Sequence, residues 1–385
     1  MRIAELTVTV VSVPFNEEET WIWGRRAGIT NALVEVVTDE GVTGVGECPG
    51  HPNVALVREV LESVREVMVG EDPLRPERLM GLLLARRGLH HFRHAANTAL
   101  GGLETALWDI VGKVAGQPLA RLLGGPVRDA VPYYRYVPMG SSEQMAARAA
   151  EGVAEGVSTI YLKTGFDRRK DVADVDAVRK AIGPDVKLRI DANEAWSPGE
   201  AISIVNELEP YDLEFVEQPV SMYDLDGLAR VRRATRTPIA ANQAAWLEFD
   251  VLEIVRKRAA DVILTCPHQL HGLAAFKKVA GLCELAGLPI VKHSFGDLGV
   301  TTFAAAHVLS TCPNATLANQ THYNLLADDV ILGGPPEFTD GALRLPPGPG
   351  IGVELDPDRV GTYAELYERE GEFSVYGPVA ERRVS

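Results

Sequence analysis

Residues 186–194 read VKLRIDANE, residues 213–219 read LEFVEQP and residues 238–243 read PIAANQ. Each segment is a short apolar run that ends in polar residues, among them Asp191, Glu217 and Asn242. The separations, 217 − 191 = 26 and 242 − 217 = 25 residues, leave room for one strand and one helical crossover each. Because parallel neighbouring strands need a crossover of about a dozen residues or more, the spacing predicts consecutive strands of a parallel sheet.

Similar apolar runs continue on both sides of these segments, with amphipathic stretches between most of them. Eight strands with helical crossovers predict an α/β fold, a barrel of parallel strands whose active site lies at the C-terminal strand ends. The predicted strands are Val131–Val137, Ser158–Lys163, Val186–Ile190, Leu213–Val216, Pro238–Ala241, Asp261–Cys266, Leu288–Lys292 and Ala315–Asn319. The predicted helices are Ser142–Gly152, Asp171–Ile182, Pro198–Leu208, Leu225–Ala234 and Leu273–Ala286.

The two ends of the chain show other patterns. Early apolar residues recur with period two, which predicts antiparallel strands, and helical spacing follows as far as Gly124-Gly125-Pro126. From Leu326 onward Gly and Pro are dense, which indicates a loop-rich extension. We therefore predict an α+β domain over residues 1–125, the barrel over residues 126–325 and a C-terminal segment over residues 326–385.

Composition excludes several classes of protein. Among 385 residues, 38 Lys and Arg stand against 53 Asp and Glu, a net charge of −15. This balance argues against nucleic-acid and anionic-membrane partners, which require a basic face. The four cysteines are far apart, and the N-terminus lacks a signal-peptide pattern, so we expect a soluble protein of the reducing cytoplasm.

Asp191, Glu217 and Asn242 end three successive predicted strands, so their side chains should converge at the barrel mouth. Two carboxylates and an amide oxygen form a hard oxygen site suited to Mg²⁺. A single strand-end acid is more often a helix cap, but three at matched spacing favour a metal site.

Lys163 ends the second predicted strand and His293 ends the seventh, on opposite sides of a ligand held by the third to fifth. Taken alone, a strand-end lysine is usually solvated and a lone histidine is usually packed. Next to a cation, either residue is suited to remove a proton α to a carboxylate, and the metal would stabilise the resulting enediolate. A β-hydroxyl can then leave, a proton can return to the other face, or a ring can open or close.

The motif Ala106-Leu107-Trp108-Asp109-Ile110, its continuation to Gly125, and GVELDPDRV at residues 352–360 resemble the mandelate racemase/muconate-lactonizing group of the enolase superfamily. The resemblance extends over essentially the whole chain. It implies a modified (β/α)7β TIM barrel under an α+β capping domain built from both chain ends. It also implies one Mg²⁺ per subunit, with Mn²⁺ as an alternative, a small carboxylate-bearing substrate and a homo-oligomer between dimer and octamer.

By this resemblance, Asp191, Glu217 and Asn242 fall on the metal-ligand positions, with Gln243 as the alternative to Asn242. Asparagine at the third position and the DxNxAWS pattern are similar to glucarate dehydratases. Lys163 falls on the second lysine of the group's KxK motif, the base, and Tyr161 replaces the first.

His293 falls on the histidine of the group's His–Asp dyad, and Cys266 occupies the position of its aspartate. A thiol cannot orient an imidazolium as a carboxylate does, which weakens a two-base racemase mechanism. His293 remains available as a general acid. Whether His268 or Asp297 takes over from the missing aspartate is left open by the sequence.

Substrate contacts are expected partly from the capping domain, where the loop Asn16–Gly28 contains aromatic and arginine residues. An arginine there suits a distal carboxylate, although it is equally consistent with plain exposure. The predicted substrate contacts are Tyr161, Asn193, Gln243, Trp23, Arg25, His51, His268, Asn319 and His322.

The leading hypothesis is a Mg²⁺-dependent lyase that dehydrates a sugar acid. A racemase, an epimerase or a lactone cycloisomerase is the first alternative, because all use the same initial proton abstraction. A barrel that has lost its chemistry and only binds an acid is the second, and the missing aspartate and lysine are its best support.

Overall fold

The computed structural model describes residues 1–376 of the chain. Its N-terminal part is an antiparallel sheet, in which β2 pairs with β1 on one side and with β3 on the other, packed against helices. The strands are β1 (Ile3–Trp21), β2 (Gly24–Thr38) and β3 (Thr43–Pro49), and the helices are α1 (Val54–Met68), α2 (Pro76–Arg86), α3 (Arg93–Ala115) and α4 (Leu119–Leu122). The predicted antiparallel strands and the helices after them are therefore present.

Helix α3 lies against β3 at very short range because glycines occupy the contact. A Cβ on Gly46 would lie 2.0 Å from the carbonyl oxygen of Gly102, so no side chain fits there. Two turns further along the helix, the carboxylate of Asp109 accepts hydrogen bonds from the backbone N–H groups of Val45 (3.0 Å) and Ile351 (2.9 Å). The aspartate of the ALWDI motif thus joins α3 both to β3 and to the C-terminal segment.

Seven parallel strands form one curled sheet in which spatial order follows chain order. The strands are β5 (Arg135–Val137), β6 (Thr159–Lys163), β7 (Lys187–Asp191), β8 (Phe215–Glu217), β9 (Ile239–Ala241), β10 (Val262–Thr265) and β11 (Ile290–Lys292). The helices are α5 (Ser142–Ala154), α6 (Arg168–Ile182), α7 (Pro198–Leu208), α8 (Leu225–Ala234), α9 (Glu248–Lys257), α10 (Leu273–Leu285) and α11 (Gly299–Ser310). The expected α/β barrel architecture is confirmed.

The predicted first and eighth strands are corrected by the structure. Residues 131–137 divide into β4 (Ala130–Pro132), which leaves the barrel, and β5, which begins it. Residues 315–319 form no regular strand, yet they close the barrel: the N–H of Asn319 donates to Pro132 O (2.8 Å) and its side-chain oxygen accepts from the N–H of Lys292 (2.8 Å). A side chain replaces a ladder carbonyl here, so the segment cannot keep strand geometry.

The C-terminal segment returns to the N-terminal sheet. Strand β12 (Phe338–Thr339) pairs with β13 (Ala342–Arg344), which pairs with β4, and helix α12 (Pro357–Glu370) then packs on β1. Strand β14 (Ser374–Tyr376) then pairs antiparallel with the start of β2. The predicted loop-rich extension therefore also contains a helix and a pairing strand.

Two further predictions need correction. The loop expected over residues 16–28 is the tip of the β1–β2 hairpin, with Glu19 paired to Arg26 across it. Helix α11 was not predicted because nearly all of its residues are buried, so it lacks the polar face that gives a helix its sequence periodicity.

Two buried glutamates of the N-terminal part dock it onto the barrel. The carboxylate of Glu47 accepts from the N–H groups of Leu298 (2.7 Å) and Thr301 (2.8 Å), at the beginning of α11. Glu104 does the same for α10, accepting from Leu273 (2.7 Å) and Ala274 (3.1 Å). Each carboxylate satisfies helix N–H groups that have no partner within the helix. Among the described residues, no helix combines the length and apolar character needed to cross a bilayer.

Candidate active site

A cavity of about 420 Å³ opens at the C-terminal ends of the barrel strands, beneath the tip of the β1–β2 hairpin. It brings together residues from both parts of the molecule, far apart in sequence. The predicted site residues that line it are Trp23, His51, Lys163, Asn193, Asn242, Gln243, His293 and His322. Asp191 and Glu217 lie side by side just below it, as register partners at the ends of β7 and β8.

Glu217 is the most telling of these residues, because both of its carboxylate oxygens are buried and neither has a hydrogen-bond partner among residues 1–376. Burial, followed by the charge of Asp191, raises its pKa well above the ordinary glutamate value. A bare buried carboxylate costs several kcal/mol unless a cation or a proton neutralises it. Its environment therefore suits a metal ion.

Asp191 and Asn242 flank that carboxylate. Asp191 accepts from the N–H of Asn193 through Oδ1 (2.7 Å), which fixes its orientation. The side-chain nitrogen of Asn242 donates to Leu264 O (3.4 Å), so the amide oxygen is the atom left for a ligand role. The described residues contain no cluster of three or more His, Cys, Asp or Glu side chains suited to a metal, so a cation here would need the amide.

Gln218 fixes the backbone at Asn242, the third proposed metal ligand, and was not predicted from the sequence. Its Oε1 accepts from the N–H groups of Asn242 (3.0 Å) and Ala244 (3.1 Å), which fixes the turn after β9. Its own backbone has φ 35°, an unusual value for a non-glycine residue. Gln243, the alternative ligand, also lines the cavity, and its Oε1 is buried without a partner among the described residues.

Lys163 is held over Asp191 from the cavity side. Its Nζ lies 2.5 Å from Oδ2 of Asp191, 2.9 Å from Oδ1 of Asn193 and 3.4 Å from the hydroxyl of Tyr161. Tyr161 itself donates to Oδ2 of Asp191 (2.7 Å) and does not line the cavity. The prediction of a substrate contact at Tyr161 is therefore not supported by its position, because this residue supports Asp191 from below.

His293 faces Lys163 from the far side of the cavity. It is half-buried, and its Nδ1 has no hydrogen-bond partner in the described part of the chain. Burial and then the charge of Lys163 lower its pKa well below the ordinary histidine value, so the imidazole is neutral at pH 7. Among residues 1–376, no carboxylate therefore takes the orienting role of a His–Asp dyad at Nδ1.

None of the three residues considered for that role fills it. Burial raises the pKa of the Cys266 thiol to about 11, so it is uncharged. His268 contacts Thr98 O (3.2 Å) and the hydroxyl of Thr301 (3.1 Å), away from the cavity. Asp297 forms a buried ion pair with Lys292, which directly precedes His293.

Arg25 and Arg26 lie on opposite faces of β2 because side chains alternate along a strand. The side chain of Arg25 is 64% exposed and does not line the cavity, so the structure does not bring it together with the other predicted substrate contacts. Arg26 lines the cavity instead. Its guanidinium pairs with Glu19, donates to Phe295 O (2.5 Å) and contacts Nε2 of His322 (3.1 Å).

Two other predicted contacts also lie outside the cavity. The ring nitrogens of His268 join α3 to α11, and the side chain of Asn319 closes the barrel. In contrast, Trp246 and Phe295 line the cavity but were not predicted. Each follows the end of a barrel strand by a few residues, and an aromatic residue at that point is the signal that could have identified it.

Family models match most of the chain in two segments. Residues 7–124 match the N-terminal domain of mandelate racemase/muconate lactonizing enzyme, and residues 144–359 match an enolase C-terminal domain-like model. Similar proteins of known activity are enzymes and include cycloisomerases, epimerases and dehydratases.

Two relatives and one solved structure illustrate the range. A D-galactarolactone cycloisomerase from Agrobacterium fabrum is 31% identical over 90% of this chain and 94% of its own. An arabinonate dehydratase from Saccharolobus solfataricus is 28% identical over 83% of this chain and 87% of its own. The crystal structure of an enolase from Thermobispora bispora, complexed with magnesium and formate, is 31% identical, with TM-score 0.88 and coverage of 96% of this chain and 94% of its own.

Proposed function

The chain belongs to the mandelate racemase/muconate-lactonizing group of the enolase superfamily, and from this premise we propose that it is a Mg²⁺-dependent enzyme that dehydrates a sugar acid. The single observation that carries the proposal is the pair of unpartnered, buried oxygens of Glu217 next to Lys163 and His293. A cation site and two opposed proton-transfer groups are the requirements of proton abstraction next to a carboxylate. The arabinonate dehydratase among the relatives acts on a substrate of this kind.

Asp191, Glu217 and the amide oxygen of Asn242 would hold the ion. When bound, Mg²⁺ supplies positive charge beside the substrate carboxylate and offsets the negative charge that proton removal creates. Both carboxylates are almost completely buried, at 1% and 0% exposure, so their attraction for a cation is little screened by water. Carboxylate and amide oxygens suit Mg²⁺, so this site does not need a histidine or cysteine ligand.

Lys163 is proposed as the base. Asn193 accepts a hydrogen bond from its ammonium form and Tyr161 lies within reach, so the side chain is fixed at the end of β6. Lys163 is 7% exposed and lines the cavity, where its Nζ can take the proton from the α-carbon. A positioned base of this kind contributes roughly 10²–10⁴-fold to the rate.

His293, once it has taken up a proton to form the imidazolium, is proposed to protonate the departing β-hydroxyl from the opposite side and to return to the neutral imidazole. The C–H bond at the α-carbon breaks towards Lys163, the C–O bond at the β-carbon breaks, and water leaves with the proton from His293. The resulting enol tautomerises to a 2-keto-3-deoxy acid. Asn193, Gln243 and Gln320 line the cavity with amide groups that suit the remaining hydroxyls of a sugar acid.

One observation favours a second candidate, an epimerase or lactone cycloisomerase. A neutral imidazole without a carboxylate partner is a better proton acceptor than donor, and His293 is in that state. The cycloisomerase among the relatives shows that the group includes such reactions. In this case Lys163 and His293 would exchange protons at the substrate without loss of water.

The experiment that tests the proposal is incubation with Mg²⁺ and a panel of sugar acids in D₂O, followed by ¹H NMR. Dehydration yields a 2-keto-3-deoxy acid that carries deuterium at C3. Deuterium at the α-carbon of recovered substrate or of its epimer, with no keto acid formed, supports the second candidate and rejects dehydration. A reaction that proceeds at full rate after exhaustive chelation of divalent ions would reject both.

A further inference from the structure

We infer that the cavity selects acids with one carboxylate over acids with a carboxylate at each end. The inference rests on the proposed function, since it assumes that the first carboxylate lies at the Asp191–Glu217 end. It concerns the charge that the opposite end of the cavity offers to the rest of the substrate.

The described residues that line the cavity include only two strongly basic side chains, Lys163 and Arg26. Lys163 is paired with Asp191 at 2.5 Å and is assigned to the proton at the α-carbon. Any salt bridge to a distal carboxylate would therefore fall to Arg26.

Arg26 is already engaged on every nitrogen of its guanidinium. Nε pairs with Glu19, one terminal nitrogen donates to Phe295 O (2.5 Å) and the other contacts Nε2 of His322 (3.1 Å). Its side chain is only 11% exposed, and the ring of Phe15 lies 5.5 Å away, which further confines it. A bidentate grip on a carboxylate would require a free edge of the guanidinium, and breaking these contacts would be costly.

The charge of Arg26 is also neutralised locally. Glu19 is 3% exposed and accepts a second hydrogen bond from the hydroxyl of Tyr136, so the carboxylate is fixed in its pairing with the arginine. This wall of the cavity thus contributes no net positive charge.

Glu194 adds negative charge at the same cavity. It follows Asn193 at the end of β7, and its Oε1 accepts from the N–H of Met222 (2.6 Å), which holds the carboxylate at the rim. The histidines do not offset it, because burial lowers the pKa of His51 to about 4 and that of His322 well below its usual value. A second substrate carboxylate would face Glu19 and Glu194 with no available cation, whereas a terminal hydroxyl would find amide and imidazole partners. Juxtaposed like charges in a partly buried site typically reduce affinity on the order of a hundredfold.

The test compares matched pairs of acids, D-gluconate with D-glucarate and D-galactonate with galactarate, in the presence of Mg²⁺. Both kcat/KM and the ligand-induced rise in melting temperature are measured, so that binding is scored even where no turnover occurs. We expect the monoacid of at least one pair to be preferred by about a hundredfold. We also expect the Glu194→Gln variant to reduce that preference about tenfold, while the control Glu284→Gln, on the exposed face of α10, leaves it unchanged.

Equal or better use of the diacids overturns the inference and leaves the proposed function standing. Binding of monoacids without any turnover has the opposite meaning: it supports the inference and counts against the proposed function. If neither class raises the melting temperature, or if Glu194→Gln and Glu284→Gln behave alike, the inference is wrong.

Discussion

The two sides of the cavity are built on different principles. On the side formed by β6 to β9, the residues that flank the unpartnered carboxylate of Glu217 are held by their neighbours: Tyr161 and Lys163 bond to Asp191, and Gln218 fixes the turn of Asn242. On the side formed by β10 and β11, the Nδ1 of His293 has no hydrogen-bond partner among residues 1–376, and the residue that follows β10 is the buried, uncharged Cys266.

This difference indicates where the chemistry is fixed and where it is open. The first side has the elements that we propose for removal of a proton next to a carboxylate, whichever reaction follows. The second side determines what happens next, because an acid, a base or a mere wall opposite Lys163 leads to different products. The predictions below test each side separately.

Removal of the base should have the largest effect. We expect Lys163→Ala to lower kcat by about 10²–10⁴-fold, because a positioned base contributes about that much to the rate of proton abstraction. The exposed Lys180 on α6, paired with Asp176 at 2.6 Å, offers the matched control, and Lys180→Ala should retain full activity. Steady-state kinetics on the best sugar acid, with circular dichroism to verify folding, make the comparison. Full turnover by Lys163→Ala would show that the base is elsewhere.

The proposed cation site on the β6–β9 side of the cavity should also affect the free energy of unfolding. Saturating Mg²⁺ at about 100 times its Kd should raise the free energy of unfolding by about 2.7 kcal/mol, and Glu217→Gln should abolish that rise. In chelator, the same variant should be as stable as the parent protein or more so, because it removes an unpaired buried carboxylate.

Glu214→Gln, in the same stretch of chain, is the contrasting control. It breaks the ion pair with buried Arg189 and should destabilise the protein by about 3 kcal/mol while the response to Mg²⁺ persists. Differential scanning calorimetry with and without Mg²⁺ provides both numbers. A barrel that only binds an acid and no metal would show no response to Mg²⁺ in any variant.

Changes on the β10–β11 side of the cavity should alter the pH dependence of kcat. Burial holds the pKa of His293 well below its usual value, so a step that needs its protonated form gains rate as the pH falls. Cys266→Asp places a carboxylate at the end of β10, where the N–H of His293 already donates to Thr265 O (3.0 Å). The new charge favours the imidazolium, and the corresponding limb of kcat should move to higher pH by about one unit.

Cys266→Asn is the uncharged control for that shift and should leave the limb in place. If the two variants give the same pH profile, Cys266 does not occupy the position of the dyad aspartate, and its assignment by resemblance is wrong.

The regular spacing of Asp191, Glu217 and Asn242 made the proposed metal ligands predictable from the sequence. A period of 25 or 26 residues locates strand ends, and strand ends of parallel neighbours meet, so Asp191 and Glu217 could be placed side by side from sequence alone. Helices α7 and α8 begin as predicted because each has a side-chain cap at its N-terminus, at Ser197 and Asp224. Local signals of this kind do not depend on the rest of the fold.

The cavity residues of the β1–β2 hairpin and the barrel closure at Asn319 could not be predicted in the same way. Whether Arg25 or Arg26 faces the cavity depends on the register of β2 against β1, which a loop-like sequence does not reveal. The role of Asn319 depends on a hydrogen bond to Lys292, and nothing local to either residue indicates it. Contacts between distant segments decide these positions.

Glu47 and Glu104 have a consequence for how this molecule can be taken apart. Each occupies the beginning of a barrel helix with a carboxylate that belongs to the other domain, and burial raises the pKa of both to about 7. A barrel excised from its capping domain would lose the carboxylates that cap the N-termini of both α10 and α11. The two domains are therefore not interchangeable modules. Chimeras made by exchanging caps between relatives should melt in one cooperative transition only when the grafted cap supplies both glutamates.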